Sequence, residues 1–428
     1  MTTSFALMSV TSLQLLAQIG FQLLVLAALG LGRDSDAFVA AQAVPAVLVS
    51  VLGVSLQNVW QARLAVADEA SGAWRAGHRT VHAQALIAMS LACSALWASS
   101  AWWVPLLYAG LEGPTERLVL QMTPPLLLAC MFNGASAVLT TAQRGRDRLV
   151  SAETAGLVGT LICMVVVAPA VQAWGVVAAV YLLLARAALV WLVLLWLVGP
   201  AWPDWRAGWS DRPGWLQLRP LLAGSALYKA SPLVDRYWSA NASAGSLTLF
   251  SLAQTGMAAL TAVLERSICM PVAPQISRCI AEGDAAGARR LYRRAVGVVA
   301  AASAAVAVGL LAAQPWWASS LAALLQMPAT RADELWLLCM LLLGYMFVGA
   351  AGTAVVAVFY ALGDTRTPAW IGVVGFFVGV AAKSLAFLAF GIAGLALAAS
   401  LYYLANLAAL VLSVERRLGS LAAHPPQR

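Results

Sequence analysis

Residues 174–199 read WGVVAAVYLLLARAALVWLVLLWLVG, and this stretch decides the fold class. A helix needs about 20 consecutive apolar residues to cross the hydrocarbon core of a bilayer. The stretch exceeds that length and contains one charged residue, Arg186. The pattern therefore predicts a membrane-spanning helix with a cation near its centre.

The same pattern recurs along the chain of 428 residues, of which 62% are apolar and only 10% charged, with a mean hydropathy of +0.82. Soluble domains carry about 25% charged residues. The composition therefore excludes a cytosolic enzyme, a secreted disulfide scaffold and a disordered chain. We expect an all-α polytopic membrane protein with about 12 transmembrane helices, in the apolar windows 5–31, 37–62, 81–108, 118–142, 150–171, 174–198, 217–240, 245–272, 292–313, 334–361, 368–390 and 392–414.

The basic residues predict the orientation. Of the 26 lysines and arginines, 18 lie in or beside the loops after the even-numbered windows and 4 beside the other loops. Cytoplasmic loops are enriched in Lys and Arg, so we expect a multi-pass protein of the bacterial inner membrane with both termini in the cytoplasm. The net charge of +8 then reflects topology, not nucleic-acid binding. The first apolar run lacks a basic n-region and is predicted to be a retained helix.

Cysteine and histidine give no sign of a metal or a cofactor. The six cysteines form no Cys-x-x-Cys pair, and His78, His82 and His424 are not clustered in sequence. No polar catalytic cluster lies near a membrane interface. We therefore expect no cofactor, no metal site, no catalytic residues and no enzymatic activity.

An internal repeat divides the chain. MFNGASAVLTTAQRGRDR (131–148) resembles MFVGAAGTAVVAVFYALGDTR (346–366), and GVVAAVYLLLARAAL (175–189) resembles GLALAASLYYLANLAAL (394–410). An even number of spans per repeat gives both halves the same orientation, as in transporters built from parallel repeats. We predict two parallel six-helix bundles, residues 1–205 and 206–428, that work by alternating access.

Four segments carry a family resemblance: LGLGRDSDAFVAAQAVP (29–45), PLVDRYWSANASAGSLTLFSLAQ (232–254), PVAPQISRCIAEGDAAGARRLYRRAV (271–296) and FYALGDTRTPAWI (359–371). In this order they resemble the MOP superfamily, which has a MATE-like fold, and within it the MviN/MurJ-type lipid II flippases. The resemblance implies a flippase for an undecaprenyl-diphosphate-linked sugar, either lipid II or a related cell-envelope precursor. Its partners would be that substrate, the bilayer and envelope-synthesis proteins, without nucleic acid.

The chain also departs from the family pattern. The resembled flippases line a central cavity with charged residues, and the matching positions here lie near Leu23, Leu24, Val49 and Thr255, which are uncharged. The family has fourteen helices, whereas the windows here number twelve.

Cations within the membrane are the first candidates for binding a diphosphate, because attraction between charges is stronger there than in water. Lys229 and Arg186 fall near the predicted midplane, and Lys383 lies nearer the outer face. Snorkelling or pairing with a carboxylate is the structural alternative for each. Gln14, Gln18 and Gln22 are spaced i, i+4, i+8 and form a polar stripe, which either faces substrate or packs helix 1.

Six further charged residues are candidates for gates or ion pairs. Asp36 matches the acid of the family's Asp-Ala-Phe motif and, with Arg33, is a candidate for an external gate. The others are two adjacent pairs: Asp235 and Arg236 near the outer end of helix 7, and Glu265 and Arg266 near the inner end of helix 8.

Three alternatives stay open. A multidrug or cation antiporter of the same superfamily would need carboxylates inside the first bundle, where only Glu153 occurs, near a helix end. A non-transporting scaffold homologue in an envelope-synthesis complex fits the uncharged cavity positions. A membrane glycosyltransferase would need an interfacial acidic motif and a large soluble loop, and the sequence has neither.

Overall fold

The computed structural model describes residues 2–57, 72–145, 149–199, 202–325 and 327–423, and every regular element in these ranges is helical. The helices are α1 (Thr2–Leu29), α2 (Arg33–Leu48), α3 (Gly72–Ala98), α4 (Ser100–Leu107), α5 (Gly113–Gly145), α6 (Leu149–Trp174), α7 (Val176–Val198), α8 (Trp205–Ser210), α9 (Arg212–Ala240), α10 (Ser246–Leu264), α11 (Met270–Ala281), α12 (Ala285–Leu325), α13 (Ala329–Leu341), α14 (Leu343–Ala361) and α15 (Arg366–Ala423).

Ten stretches within these ranges are long and apolar enough to cross a membrane. One of them, Arg366–Gly419, has 54 residues and as a straight helix would measure about 81 Å, whereas the hydrocarbon core is about 30 Å thick. It folds back at Gly391, where φ is 61° and ψ is −145°. A Cβ on Gly379 would lie 2.9 Å from the ring of Tyr402, so the two arms pack as a hairpin.

The hairpin therefore supplies two spans, as windows 368–390 and 392–414 predicted. The helix α9, with 29 residues, covers the seventh predicted window but is not among the ten stretches. The multi-pass all-α fold is confirmed, and the count of twelve stays a prediction.

The chain divides into two compact units, Met1–Thr248 and Leu249–Arg428. We call them the first and the second unit. In the first unit, Phe21, Phe38 and Tyr108 lie in a buried apolar cluster, and the Tyr108 hydroxyl donates to the Ala40 carbonyl over 2.7 Å. The second unit has its own cluster around Tyr292, Val355 and Phe359. The boundary predicted after residue 205 stays a prediction.

Each unit contains one π-helical segment within a long span. Val49–Gly53 continues α2, and Glu265–Cys269 joins α10 to α11. Single-turn π-bulges inside α-helices occur frequently at functional sites. The second segment begins 216 residues after the first. The repeated sequence segments that begin at residues 131 and 346, and at 175 and 394, are separated by 215 and 219 residues.

The contacts around the two π segments also repeat. In the first unit, the Cys130 thiol donates to the Pro45 carbonyl over 3.4 Å. In the second, the Thr261 hydroxyl donates to the Met346 carbonyl over 3.2 Å, and both partners again lie 216 residues further along. The internal repeat therefore extends from sequence to the packing of equivalent helix pairs.

Candidate functional site

A cavity of about 150 Å³ lies inside the first unit, among α2, α5 and α7. Its lining is mostly apolar, but Gln42, Asn133 and Arg186 contribute polar side chains. The complete lining is Gln42, Pro45, Ala46, Val49, Leu126, Ala129, Cys130, Asn133, Leu183 and Arg186. The lining contains one cation and no carboxylate. We call this space the Arg186 cavity.

Arg186 is held in place by the neighbouring helix α6. Its Nη1 donates to the Thr160 hydroxyl over 3.2 Å, and that hydroxyl donates to the Gly156 carbonyl over 2.8 Å. Gly159 packs beside the aliphatic stem, because a Cβ there would lie 3.2 Å from Val190 Cγ2 and in ordinary contact, 3.5 Å, with Arg186 Cγ. A guanidinium has five N–H donors, and within the described ranges Arg186 forms no ion pair. Most of its hydrogen-bonding capacity is therefore available to a ligand.

Lys229 approaches the same part of the first unit from α9. Its ammonium donates to the Ser50 carbonyl, and Ser50 directly follows Val49, which lines the Arg186 cavity. Both cations predicted at the midplane thus converge on the π segment Val49–Gly53. The lysine is half-buried, and its backbone contact also ties α9 to α2.

The three glutamines of the predicted stripe differ in burial. Gln14 packs against α6, where a Cβ on Gly156 would lie 3.1 Å from its Cδ. Its buried Oε1 accepts no hydrogen bond from any described group. Gln18 is exposed and Gln22 half-buried.

Lys383 lies in the second unit and is 1% exposed. It sits between the two arms of the α15 hairpin, with its Nζ 5.7 Å from the centroid of the Tyr402 ring. Such cation–π contacts stabilise a desolvated cation. Lys383 does not line the Arg186 cavity.

Asp36 is a buried candidate gate residue with several hydrogen bonds. Its carboxylate is 3% exposed and accepts three hydrogen bonds: from the Gly245 amide at 2.6 Å, the Thr248 amide at 2.9 Å and the Thr248 hydroxyl at 2.6 Å. It thereby fastens the start of α2 to the turn before α10. We call this arrangement the Asp36 clasp.

Arg33, three residues before Asp36, pairs with Glu112 over 2.5 Å at an exposed position. Asp235 is buried and Arg236 half-buried on α9.

Glu265 and Arg266 were candidates for an ion pair, but Glu265 has a different partner. Its Oε1 accepts from the Thr353 hydroxyl over 3.0 Å, since neighbouring side chains on a helix point in different directions. The span also continues to Ala281, well beyond the predicted helix end. Glu265 therefore lies inside the second unit's π segment.

Sequence reasoning missed the neutral residues of the site. Gln42, Asn133 and Thr160 lie in apolar windows among other scattered amides and hydroxyls, and such residues carry no periodic signal. Only tertiary packing reveals that they surround one cation. The rings of His78 and His82 lie 6.3 Å apart, and Trp191 Nε1 donates to His82 Nε2 over 3.2 Å.

A family model, described as the lipid II flippase MurJ, matches residues 25–425. No curated protein matches the chain in a sequence search.

Among solved structures, a lipid II flippase MurJ in an inward closed conformation is similar over 97% of this chain and 87% of its own, with 12% identity and a TM-score of 0.78. An inward-facing multidrug resistance MATE family transporter of the MOP superfamily covers 96% of both chains, with 16% identity and a TM-score of 0.77. A MOP superfamily transporter from Pyrococcus furiosus covers 98% of this chain and 96% of its own, with 15% identity and a TM-score of 0.64. At these identities the structural likeness establishes the fold.

Proposed function

Because the chain belongs to the lipid II flippase MurJ family, it is a flippase for a lipid-linked cell-envelope precursor, and we propose that Arg186 and Lys229 attract the cargo's diphosphate. The observation that carries the proposal is the Arg186 cavity, with one cation and no carboxylate in its lining. At an effective dielectric constant of about 20, two unit charges 4 Å apart attract by about 4 kcal/mol. Two cations converging on one π segment would provide that attraction at membrane depth.

The remaining polar candidates have supporting roles in this proposal. Gln14, Gln18 and Gln22 would offer neutral hydrogen bonds beside α6, and Lys383 would add charge in the second unit. The Asp36 clasp and Arg33 would close the outer side, and the other gate candidates would bear on closure: Asp235, Arg236, Glu265 and Arg266.

We further propose that the protein resides in the bacterial inner membrane with both termini in the cytoplasm. The loop cations support this orientation through the positive-inside rule. Lipid II, or a closely related undecaprenyl-diphosphate sugar, would then enter from the cytoplasmic leaflet. Envelope-synthesis proteins are the expected partners.

A cation antiporter is the less favoured function, although MATE transporters share the fold. Binding a proton or sodium ion inside the first unit would require a carboxylate in the cavity. The charged residue there is Arg186, which repels cations. The proposal therefore assigns an anionic cargo.

The test is transport of fluorescent lipid II in proteoliposomes, together with rescue of a strain depleted of its own lipid II flippase. We expect Arg186→Gln and Lys229→Gln each to lower the rate at least tenfold while inserting normally. Arg290→Gln is the matched control, since Arg290 is exposed on α12 and does not line the Arg186 cavity. Full transport by an R186Q/K229Q double variant would refute the assignment of these residues.

A further inference from the structure

We propose that Thr160 is a positioning residue for transport, which holds one corner of the Arg186 guanidinium and leaves the opposite edge for the diphosphate of the cargo. The inference rests on the proposed function, because it assigns a partner to a cation that the proposal uses. It is carried by the direction of the hydrogen bonds around Thr160, by the packing of the Arg186 stem and by the shape of a guanidinium.

The Thr160 hydroxyl can serve Arg186 only as an acceptor. Thr160 is completely buried on α6, and its hydroxyl donates its single proton to the Gly156 carbonyl over 2.8 Å. A hydroxyl has one donor and two acceptor positions, so the acceptor positions remain for other partners. Arg186 Nη1 occupies one of them over 3.2 Å. The bond within the helix therefore presents a fixed acceptor to the cation.

The stem of Arg186 is fixed next to this acceptor. Gly159 directly precedes Thr160, and a Cβ on Gly159 would lie 3.5 Å from Arg186 Cγ. The stem therefore packs beside the α6 backbone one position before the hydroxyl that holds the guanidinium. Fixing a long side chain costs rotamer entropy. Because contacts within the first unit already impose this order, less of that cost falls on cargo binding.

The shape of the guanidinium makes its orientation important. Its five N–H donors form a planar fork, and two parallel N–H groups can bind two phosphate oxygens at once. With Nη1 directed to Thr160, the edge formed by Nε and Nη2 remains for such a contact. An ammonium has no comparable edge. Lys229, which is held by the Ser50 carbonyl, therefore has less need of a residue that orients it.

A hydroxyl that only satisfies itself is the alternative for Thr160, because Ser and Thr side chains often bond to the carbonyl four residues earlier in a helix. Thr154 on the same helix is an example. Its hydroxyl donates to the Val150 carbonyl over 2.7 Å, and the residue is exposed. Thr154 is therefore the matched control, with the same local bond and without a bond to Arg186.

The experiment measures transport of fluorescent lipid II by the full chain in proteoliposomes, over a range of lipid II concentrations. We expect Thr160→Val to raise the KM about ten- to hundredfold, the scale of one hydrogen bond to a charged group, and to change the maximal rate by less than about threefold. Thr160→Ser keeps the hydroxyl and should restore the wild-type KM. Thr154→Val should leave both quantities unchanged.

Two further variants test whether Thr160 acts through Arg186. Arg186→Lys keeps the charge but removes the edge, so its KM should rise about as much as in T160V. The double variant R186Q/T160V should match R186Q alone. The midpoint of thermal unfolding in detergent reports the folding of each variant. Thr160→Ala removes the same hydroxyl without the branched side chain of valine, and it replaces T160V if that variant does not insert.

The outcomes separate the positioning role from the proposed function. A wild-type KM in both T160V and T160A, or a rise in T160S as large as in T160V, overturns the positioning role. A lower maximal rate with an unchanged KM and a lower unfolding midpoint also overturns it, because a purely structural residue gives that result. If R186Q still abolishes transport in these cases, the proposed function stands. If R186Q transports normally, both the role of Arg186 and that of Thr160 fail.

Discussion

Replacing Asp36 with Asn should open the Asp36 clasp. The wild-type carboxylate accepts three hydrogen bonds at 2.6, 2.9 and 2.6 Å and is almost fully buried. Hydrogen bonds to a charged group contribute about 1.5–3 kcal/mol each. The amide of Asn offers one acceptor oxygen and turns an N–H group toward donors, so we expect about 3 kcal/mol less local stability.

Hydrogen exchange of the Gly245 and Thr248 amides measures this loss directly. Since 1.4 kcal/mol corresponds to a factor of ten, about 3 kcal/mol predicts roughly 100-fold faster exchange in D36N, read by mass spectrometry on peptides covering residues 241–250 in nanodiscs. The matched control is Glu112→Gln, which breaks only the exposed pair with Arg33. Exposed pairs are worth up to about 1 kcal/mol, so E112Q should change exchange by less than about fivefold. Equal rates in D36N and wild type would refute the reasoning.

Three further predictions follow from local geometry. Gly391→Ala should destabilise the α15 hairpin by about 1–3 kcal/mol, because the φ of 61° and ψ of −145° at Gly391 are strained for residues with a side chain. The midpoint of thermal unfolding should be lower than for the control Gly352→Ala, because Gly352 has open space around it. Hydrogen bonds from Thr367 hold the pKa of the Asp364 carboxyl below its usual value of about 3.9. The carboxylate therefore contributes its full stability above that value, and the contribution declines as the pH falls through the lowered native pKa. Asp364→Asn should flatten the pH dependence of unfolding below about pH 4, and an unchanged curve would contradict the prediction. Ser210→Cys, exposed at the end of α8, should react with an impermeant maleimide only from the cytoplasmic side, whereas Asp34→Cys should react only from outside; the opposite labelling would reverse the proposed orientation.

The fold class was predictable because it depends on quantities that are local in sequence. An apolar run long enough to cross a bilayer can be identified without knowing its tertiary contacts. The repeat at 131–148 and 346–366 can likewise be identified by comparing the two sequences. Helix ends were less predictable. The eighth window was expected to end at 272, but the span continues to Ala281, since polar residues are tolerated where a helix leaves the membrane.

The candidate site was predictable only in its charges. Arg186 and Lys229 stand out because ionised groups are rare in apolar windows. Their convergence on Val49–Gly53 depends on contacts between residues that are far apart in sequence, which no periodic pattern encodes. Lys383 was the third cation candidate from sequence, placed nearer the outer face, and its burial against Tyr402 gives it a different environment.

Val49 occupies a position that is charged in the resembled family, and it lies beside the two candidate cations. The resembled flippases have an arginine in helix 2 near this position, and here the residue is a valine. Yet Val49 lines the Arg186 cavity, and the next residue, Ser50, accepts the bond from Lys229. Helices α7 and α9 thus bring positive charge to the place where helix 2 lacks its own. The π segment supplies the acceptor of this bond, since Ser50 lies within Val49–Gly53. The missing arginine is therefore a weak argument for a non-transporting homologue, since the charge is present in space although it is absent from the matching position in sequence.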